Sequence, residues 1–174
     1  MFSKLRTIIL GLSALVLAAG WIYIQTKSDS TVDSKGTLQP VDFTALSHTP
    51  SDANYLMCDT LLCPNAEADT APLTLPTDVK TTRSLVAVMI DTSQLLTARN
   101  YDFAINQFDI LVKDPRRPFP SVLTLKLFET DWGQTEVIAY AYRPVGDNRK
   151  EENILTLRTW TDALAELAAK EDTP

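Results

Sequence analysis

Residues 121–142 read SVLTLKLFETDWGQTEVIAYAY, and their pattern decides the fold. Leu123, Leu125 and Leu127 alternate with more polar neighbours, so they share one face of an extended strand from Ser121 to Glu129. Asp131-Trp132-Gly133-Gln134 supplies a turn, and residues 137–142 return as a second strand rich in β-branched and aromatic side chains. The two strands predict an antiparallel hairpin.

Working upstream, residues 114–120 (DPRRPFP) are a loop, because three prolines cannot sit inside a hydrogen-bonded ladder. Before it, Tyr101, Phe103 and Ile105 alternate with small or polar neighbours, and so do Phe108, Ile110 and Val112. The apolar side moves from odd to even numbers at Asn106-Gln107, so a bulge or a strand break belongs there. Pro72-Leu73-Thr74-Leu75-Pro76 is a short extended piece. Thr77 or Asp78 then caps a helix running through about Thr92, with Val79, Val86, Met89 and Ile90 on one side. The β-branched residues of 84–90 also fit a strand.

Downstream, Ile154, Leu157, Trp160, Leu164 and Leu167 recur at three- and four-residue steps, which predicts a helix through Ala169. Asn148 or the residue after it caps this helix, Glu151 and Glu152 sit at its positive end and Lys170 at its negative end. Strands followed and preceded by helices predict an α+β domain over residues 54–174, an antiparallel sheet with helices on one face.

The chain has 174 residues, enough for one such domain and an appendage. The appendage is at the front. Residues 7–26, TIILGLSALVLAAGWIYIQT, contain no charge, and 20 helical residues reach about 30 Å, the thickness of a hydrocarbon core. Lys4 and Arg6 precede this stretch, which places the N-terminus in the cytoplasm and the rest beyond the membrane. A retained transmembrane helix over residues 7–26 is therefore expected within a 1–27 anchor segment, with the domain outside a bacterial inner membrane. A signal peptide cleaved near Ala18-Ala19-Gly20 is the alternative, although Trp21-Ile22-Tyr23-Ile24 prolongs the apolar run past that site. Residues 28–53 are dominated by Ser, Thr, Asp and Pro without a sustained period, and read as a flexible tether. His48, the single histidine, falls inside it.

Charge and composition exclude several functions. Residues 1–27 hold +3, while the remaining 13 basic side chains face 22 acidic ones, a net of −9. Such a body repels polyanions, so no nucleic-acid partner is expected, and it resists lying flat on anionic lipid. With 5 Gly there is no glycine-rich phosphate loop, and no metal or cofactor is expected. Cys58 and Cys63, followed by Pro64, close a small disulfide loop in an oxidising compartment; free thiols are the alternative.

Val145-Gly146, Asn153, Trp160 and Ala163-Leu164 are similar to the C-terminal signature of the bacterial domain of unknown function 1499, in which Val-Gly is followed by Asn seven residues after the Gly. Phe119-Pro120 resembles that family's Phe-Pro-Asp with Ser121 in the Asp place, and the stretch from Cys58 to Asn65 resembles its Cys-rich opening. The resemblance covers about residues 55–168, but Ala141-Tyr142-Arg143-Pro144 stand where the family has Ser-Arg-Ser-Arg. It implies fold and setting more than activity.

The densest polar feature is the loop Arg143-Pro144-Val145-Gly146-Asp147-Asn148-Arg149-Lys150. Read functionally, Arg143, Asp147, Asn148, Arg149 and Asn153 form a ligand-binding rim at a helix N-terminus; read structurally, the loop is a solvated cap. Arg116-Arg117 has the same two readings. Trp132, Tyr140, Tyr142 and Trp160 line a pocket or the core. The expected function is non-catalytic: an envelope protein, tethered to the bilayer, that binds a protein or a small lipid-like apolar ligand. The rival is a hydrolase or transferase using carboxylates such as Asp109 and Glu129 in a sheet-edge cleft.

Overall fold

The computed structural model describes residues 39–171, so the expected anchor over 7–26 and most of its linker lie outside the described residues. Among the described residues no helix is long and apolar enough to cross a membrane. Pro40 opens the compact unit that holds the rest of the described chain.

Eight elements follow one another: β1 (Tyr55–Met57), β2 (Leu73–Leu75), α1 (Val79–Thr92), β3 (Leu96–Asp102), β4 (Gln107–Val112), β5 (Ser121–Glu129), β6 (Thr135–Tyr142) and α2 (Lys150–Glu171). The six strands make one antiparallel sheet in the order β1-β6-β5-β4-β3. β2 shares the outer edge of β6 with β1, pairing residues 135–137 while β1 pairs 139–141. The α+β class and the 121–142 hairpin are as the sequence reading expects.

Register explains the core. Leu123 lies opposite Ala141, Leu125 opposite Ala139 and Leu127 opposite Val137. On the other side of β5, Ile110 pairs with Leu123 and Phe108 with Leu125. All of these project to one face, where Leu85, Val86 and Met89 of α1 and Leu157, Leu164 and Ala168 of α2 cover them. Asp78 caps α1 by accepting the Thr81 N–H at 2.6 Å, which stabilises the helix by about 1 kcal/mol. Thr82, buried on the same helix, bonds the hydroxyls of Thr77 at 2.8 Å and Thr135 at 3.0 Å, tying α1 to the start of β6. The strand alternative for residues 84–90 is excluded by α1. In α2 the buried stripe runs Asn153, Leu157, Thr161, Leu164, Ala168, one step round from the expected Trp160 and Leu167, which are only partly buried.

Two differences concern the β3–β4 hairpin. β3 begins at Leu96, where the pattern is obscured because most of its side chains are exposed. Phe103 and Ile105 lie in a turn rather than a strand, and Asn106 has φ 51°, so the phase change at Asn106-Gln107 is a strand break. A bulge also occurs, further back, between Ala98 and Asn100.

The larger correction concerns the opposite face of the sheet. Residues 40–53 were expected in a flexible tether, yet they form a strap across this face. Gln107 of β4 donates from Nε2 to the Val41 carbonyl at 2.9 Å. Lys126 of β5 lies close enough to Asp42 to help lower its pKa, after the hydrogen bonds from Thr44. His48 meets Tyr140 of β6 edge-on at 6.0 Å. Between these points Phe43 is 1% exposed, and Ile138, Tyr140 and Tyr142 on the same face of β6 are buried. Both faces of the sheet are thus covered, one by helices and one by the strap.

Candidate functional site

β6 delivers Arg143 and α2 begins at Lys150, so the intervening loop is held at both ends by regular structure. Gly146 turns the loop with φ +88°, a conformation that strains residues bearing a Cβ, and it sits 3.5 Å from the Phe119 ring as measured from an added Cβ. The Asn153 N–H donates to the Arg149 carbonyl at 3.1 Å, so Arg149, the residue after Asn148, occupies the capping position before α2.

Arg143, Asn148 and Asn153 meet in one partly buried network. The Asn148 Oδ1 accepts the Arg143 N–H at 3.1 Å and the Asn153 Nδ2 at 2.7 Å. Asn148 Nδ2 donates to Asn54 Oδ1 at 2.7 Å, and Asn54 Nδ2 to the Tyr140 hydroxyl at 2.5 Å. Asn153 Nδ2 also reaches the Ala53 carbonyl at 2.8 Å. The Arg143 guanidinium donates to the Asp147 carbonyl at 3.2 Å, Glu152 Oε2 at 3.0 Å and Ser121 Oγ at 3.2 Å. Arg117 pairs with the other oxygen of Glu152. Burial, followed by the nearby positive charge of Arg117, pulls the Arg143 pKa down.

The side chains of Asp147 and Arg149 are not part of this network. They pair with each other at 2.5 Å on the exposed side of the loop. Of the five expected rim residues, three therefore hold the loop together and two face solvent. Arg116 is likewise exposed and bonded to Asp114, whose carboxyl it pulls down to about 2. Trp132 lines neither pocket nor core, being 88% exposed at the tip of the β5–β6 turn.

A second cluster adjoins the first and was missed in the sequence. His48, only 2% exposed, bonds from Nε2 to Asp69 Oδ2 at 2.8 Å. That oxygen also accepts the Leu56 N–H at 2.8 Å, and Asp69 Oδ1 accepts the Lys150 ammonium at 2.5 Å. Burial alone would raise the Asp69 pKa, but the bonds from Lys150, Leu56 and His48 hold it below the ordinary carboxylate range. Lys150 also donates to the Pro50 carbonyl. Sequence separations of 21 for His48–Asp69 and 86 for Asn54–Tyr140 leave no local signal for these partners.

The chemistry open to these groups is limited by burial. A general base must reach a substrate proton, and the His48 ring is enclosed between Asp69, Tyr140 and the strap, while Asp69 is saturated by three donors. The carboxylates Asp109 and Glu129 do not converge. Asp109 is buried opposite Thr124 of β5, whose hydroxyl it accepts at 2.8 Å, and Glu129 lies five residues further along that strand, about 16 Å away. Glu136 has a raised pKa from burial and then from Asp59, but Asp59 is occupied by the N–H groups of Leu61 and Leu62. An open depression of about 310 Å³ is lined by Asp78, Val79, Lys80, Arg83, Asn106 and Glu129, mostly charged side chains. Among the described residues no group of three or more His, Cys, Asp or Glu is arranged to hold a metal ion.

Cys58 and Cys63 are joined in a disulfide, with Cα atoms 6.3 Å apart, so the thiol alternative does not hold. The bond closes the turn in which Asp59 holds two amides. No family model, no curated protein and no solved structure matches the chain.

Proposed function

We propose that this is a membrane-anchored envelope protein, a divergent relative of the domain of unknown function 1499, whose acidic exported domain binds a protein partner without catalysis. The uncharged stretch 7–26 and the basic residues before it support the anchor and the topology. Gly146 and Asn153, the spaced pair behind the family resemblance, both have structural duties, one at a positive φ and the other in two hydrogen bonds.

The observation that carries the binding reading is the contrast at the α2 end of the sheet. The polar side chains there bond mainly to one another, while Phe119 and Val145 remain 46% and 47% exposed beside them. Phe119 stands next to Gly146, and Arg116, Arg149 and Asp147 are exposed around the pair. An apolar centre with a charged rim on rigid support is the anatomy of a protein contact. The sheet faces, covered by the helices and the strap, leave the loop ends as the surface for recognition.

Native mass spectrometry of the full chain released gently from its membrane tests this. The wild type is expected to carry a protein of fixed stoichiometry, and a Phe119→Asp/Val145→Asp variant to lose it. A bare wild-type chain, or a complex unaffected by the variant, refutes the reading. A bound lipid mass instead of a protein transfers the function to a small apolar ligand.

A further inference from the structure

The β3–β4 and β5–β6 turns lie side by side at the end of the sheet opposite Phe119. β4 starts at Gln107, opposite Lys126, and β5 continues past it to Glu129. The Leu127 N–H donates to the Asn106 carbonyl at 3.1 Å, joining one turn to the neighbouring strand. Both turns point large apolar side chains outward: Phe103 is 64% exposed, Ile105 45% and Trp132 88%.

These turns are well braced. Thr130 donates its N–H to the Gln134 carbonyl at 2.9 Å, and Gly133 donates to the Thr130 carbonyl at 3.0 Å. Gly133, at φ +72°, makes the tight return that carries Trp132 to the tip. Phe103 lies against Tyr101 at 3.6 Å between ring centroids, with the Arg83 guanidinium 5.6 Å above its ring. Single exposed apolar residues are ordinary, but three projecting from two adjoining turns form a patch.

The chain also enters the domain at this end, because the Val41 carbonyl is bonded to Gln107. If residues 7–26 span the bilayer, residues 27–39 reach at most about 45 Å when fully extended. The patch is therefore kept within a short reach of lipid, and a contact of low intrinsic affinity becomes effective because it is intramolecular.

We propose that the end carrying Phe103, Ile105 and Trp132 docks on the surface of the bilayer, with its apolar tips among the headgroups. The inference rests on the anchor reading. Aromatic rings with an apolar body and a polar edge favour that interface. Lys80, Arg83 and Lys126 are mixed there with Asp102, Glu129 and Asp131, so attraction to anionic lipid does not drive the contact. Docking leaves the Phe119–Val145 end directed away from the lipid, available to the partner proposed above.

The test uses the full chain in phosphatidylcholine vesicles with Trp21→Phe and Trp160→Phe, which leaves Trp132 as the single indole of the three in the wild type. Lipid brominated near the headgroup is expected to cut Trp132 emission by about twofold, the depth of an interfacial side chain. Introducing Phe103→Asp and Ile105→Asp is expected to restore the emission, and raising the phosphatidylglycerol content to weaken the quenching. Equal emission with and without bromine, in protein that floats with the vesicles, overturns docking and leaves the anchor standing. Protein that does not float overturns the anchor and the docking built on it. Trp132 shielded in native membranes but not in lipid vesicles also overturns the proposal, because a protein then covers the patch.

Discussion

Replacing Phe43 by alanine separates a strap from a tether more sharply than any other single change. Phe43 is 1% exposed between the Val41–Gln107 hydrogen bond and the His48–Tyr140 contact. Removing a buried phenyl ring costs about 3–5 kcal/mol, and a surface strap relaxes more than a core helix, which favours about 3 kcal/mol. That is a large share of the roughly 5–15 kcal/mol that holds a domain together. For a folded unit of this size it corresponds to a fall of about 10–15 °C in Tm. The assay is urea unfolding of the full chain in detergent, followed by near-ultraviolet circular dichroism, with Phe103→Ala as the control. Phe103 is mostly exposed, so its removal changes stability by less than about 0.5 kcal/mol. The midpoint should drop for Phe43→Ala at an unchanged m-value. A Phe43→Ala variant as stable as the control refutes the strap and returns residues 40–53 to solvent.

Asp69→Ala leaves Lys150, His48 and the Leu56 N–H without their acceptor, at a cost of about 2–4 kcal/mol at neutral pH. Because the folded pKa of Asp69 is depressed, its contribution is complete above the unfolded value of about 3.9 and disappears as pH falls through the lower folded value. The stability gap between wild type and variant should therefore narrow as the pH falls below about 4, and a gap independent of pH counts against the assignment. Replacing Cys58 and Cys63 together by Ser opens a loop of sequence separation 5, and chain entropy sets the loss at about 2 kcal/mol. Chemical unfolding measures it, and an unchanged midpoint would mean that the loop is held by Asp59 and its amide bonds alone.

The parts of the fold legible in the sequence are those in which a short period reports burial. The alternation of Leu123, Leu125 and Leu127 identifies β5 because the odd side chains meet Ala141, Ala139 and Val137 under the helices. Asp78 is legible as a cap because its partner is three residues away. The strap was not legible, since few of its apolar side chains are buried and its bond to Gln107 spans 66 residues. The same limit applies to the candidate site. Arg143, Asn148 and Asn153 announce themselves as a dense polar loop, but Asn54, 94 residues from Asn148, carries no sign of the bond it makes. His48 reads as part of the tether because its neighbours in sequence are polar, while what encloses it comes from β6 and from Asp69.

The order of the strap in the chain has a consequence for biogenesis. Phe43 is made early, whereas the Tyr140 row over which its segment closes arrives 97 residues later. At about 5–20 residues per second, this aromatic side chain waits roughly 5–20 s before its seat exists. During that interval it is a greasy, unprotected stretch on a nascent polypeptide, the kind of surface that holding chaperones shield.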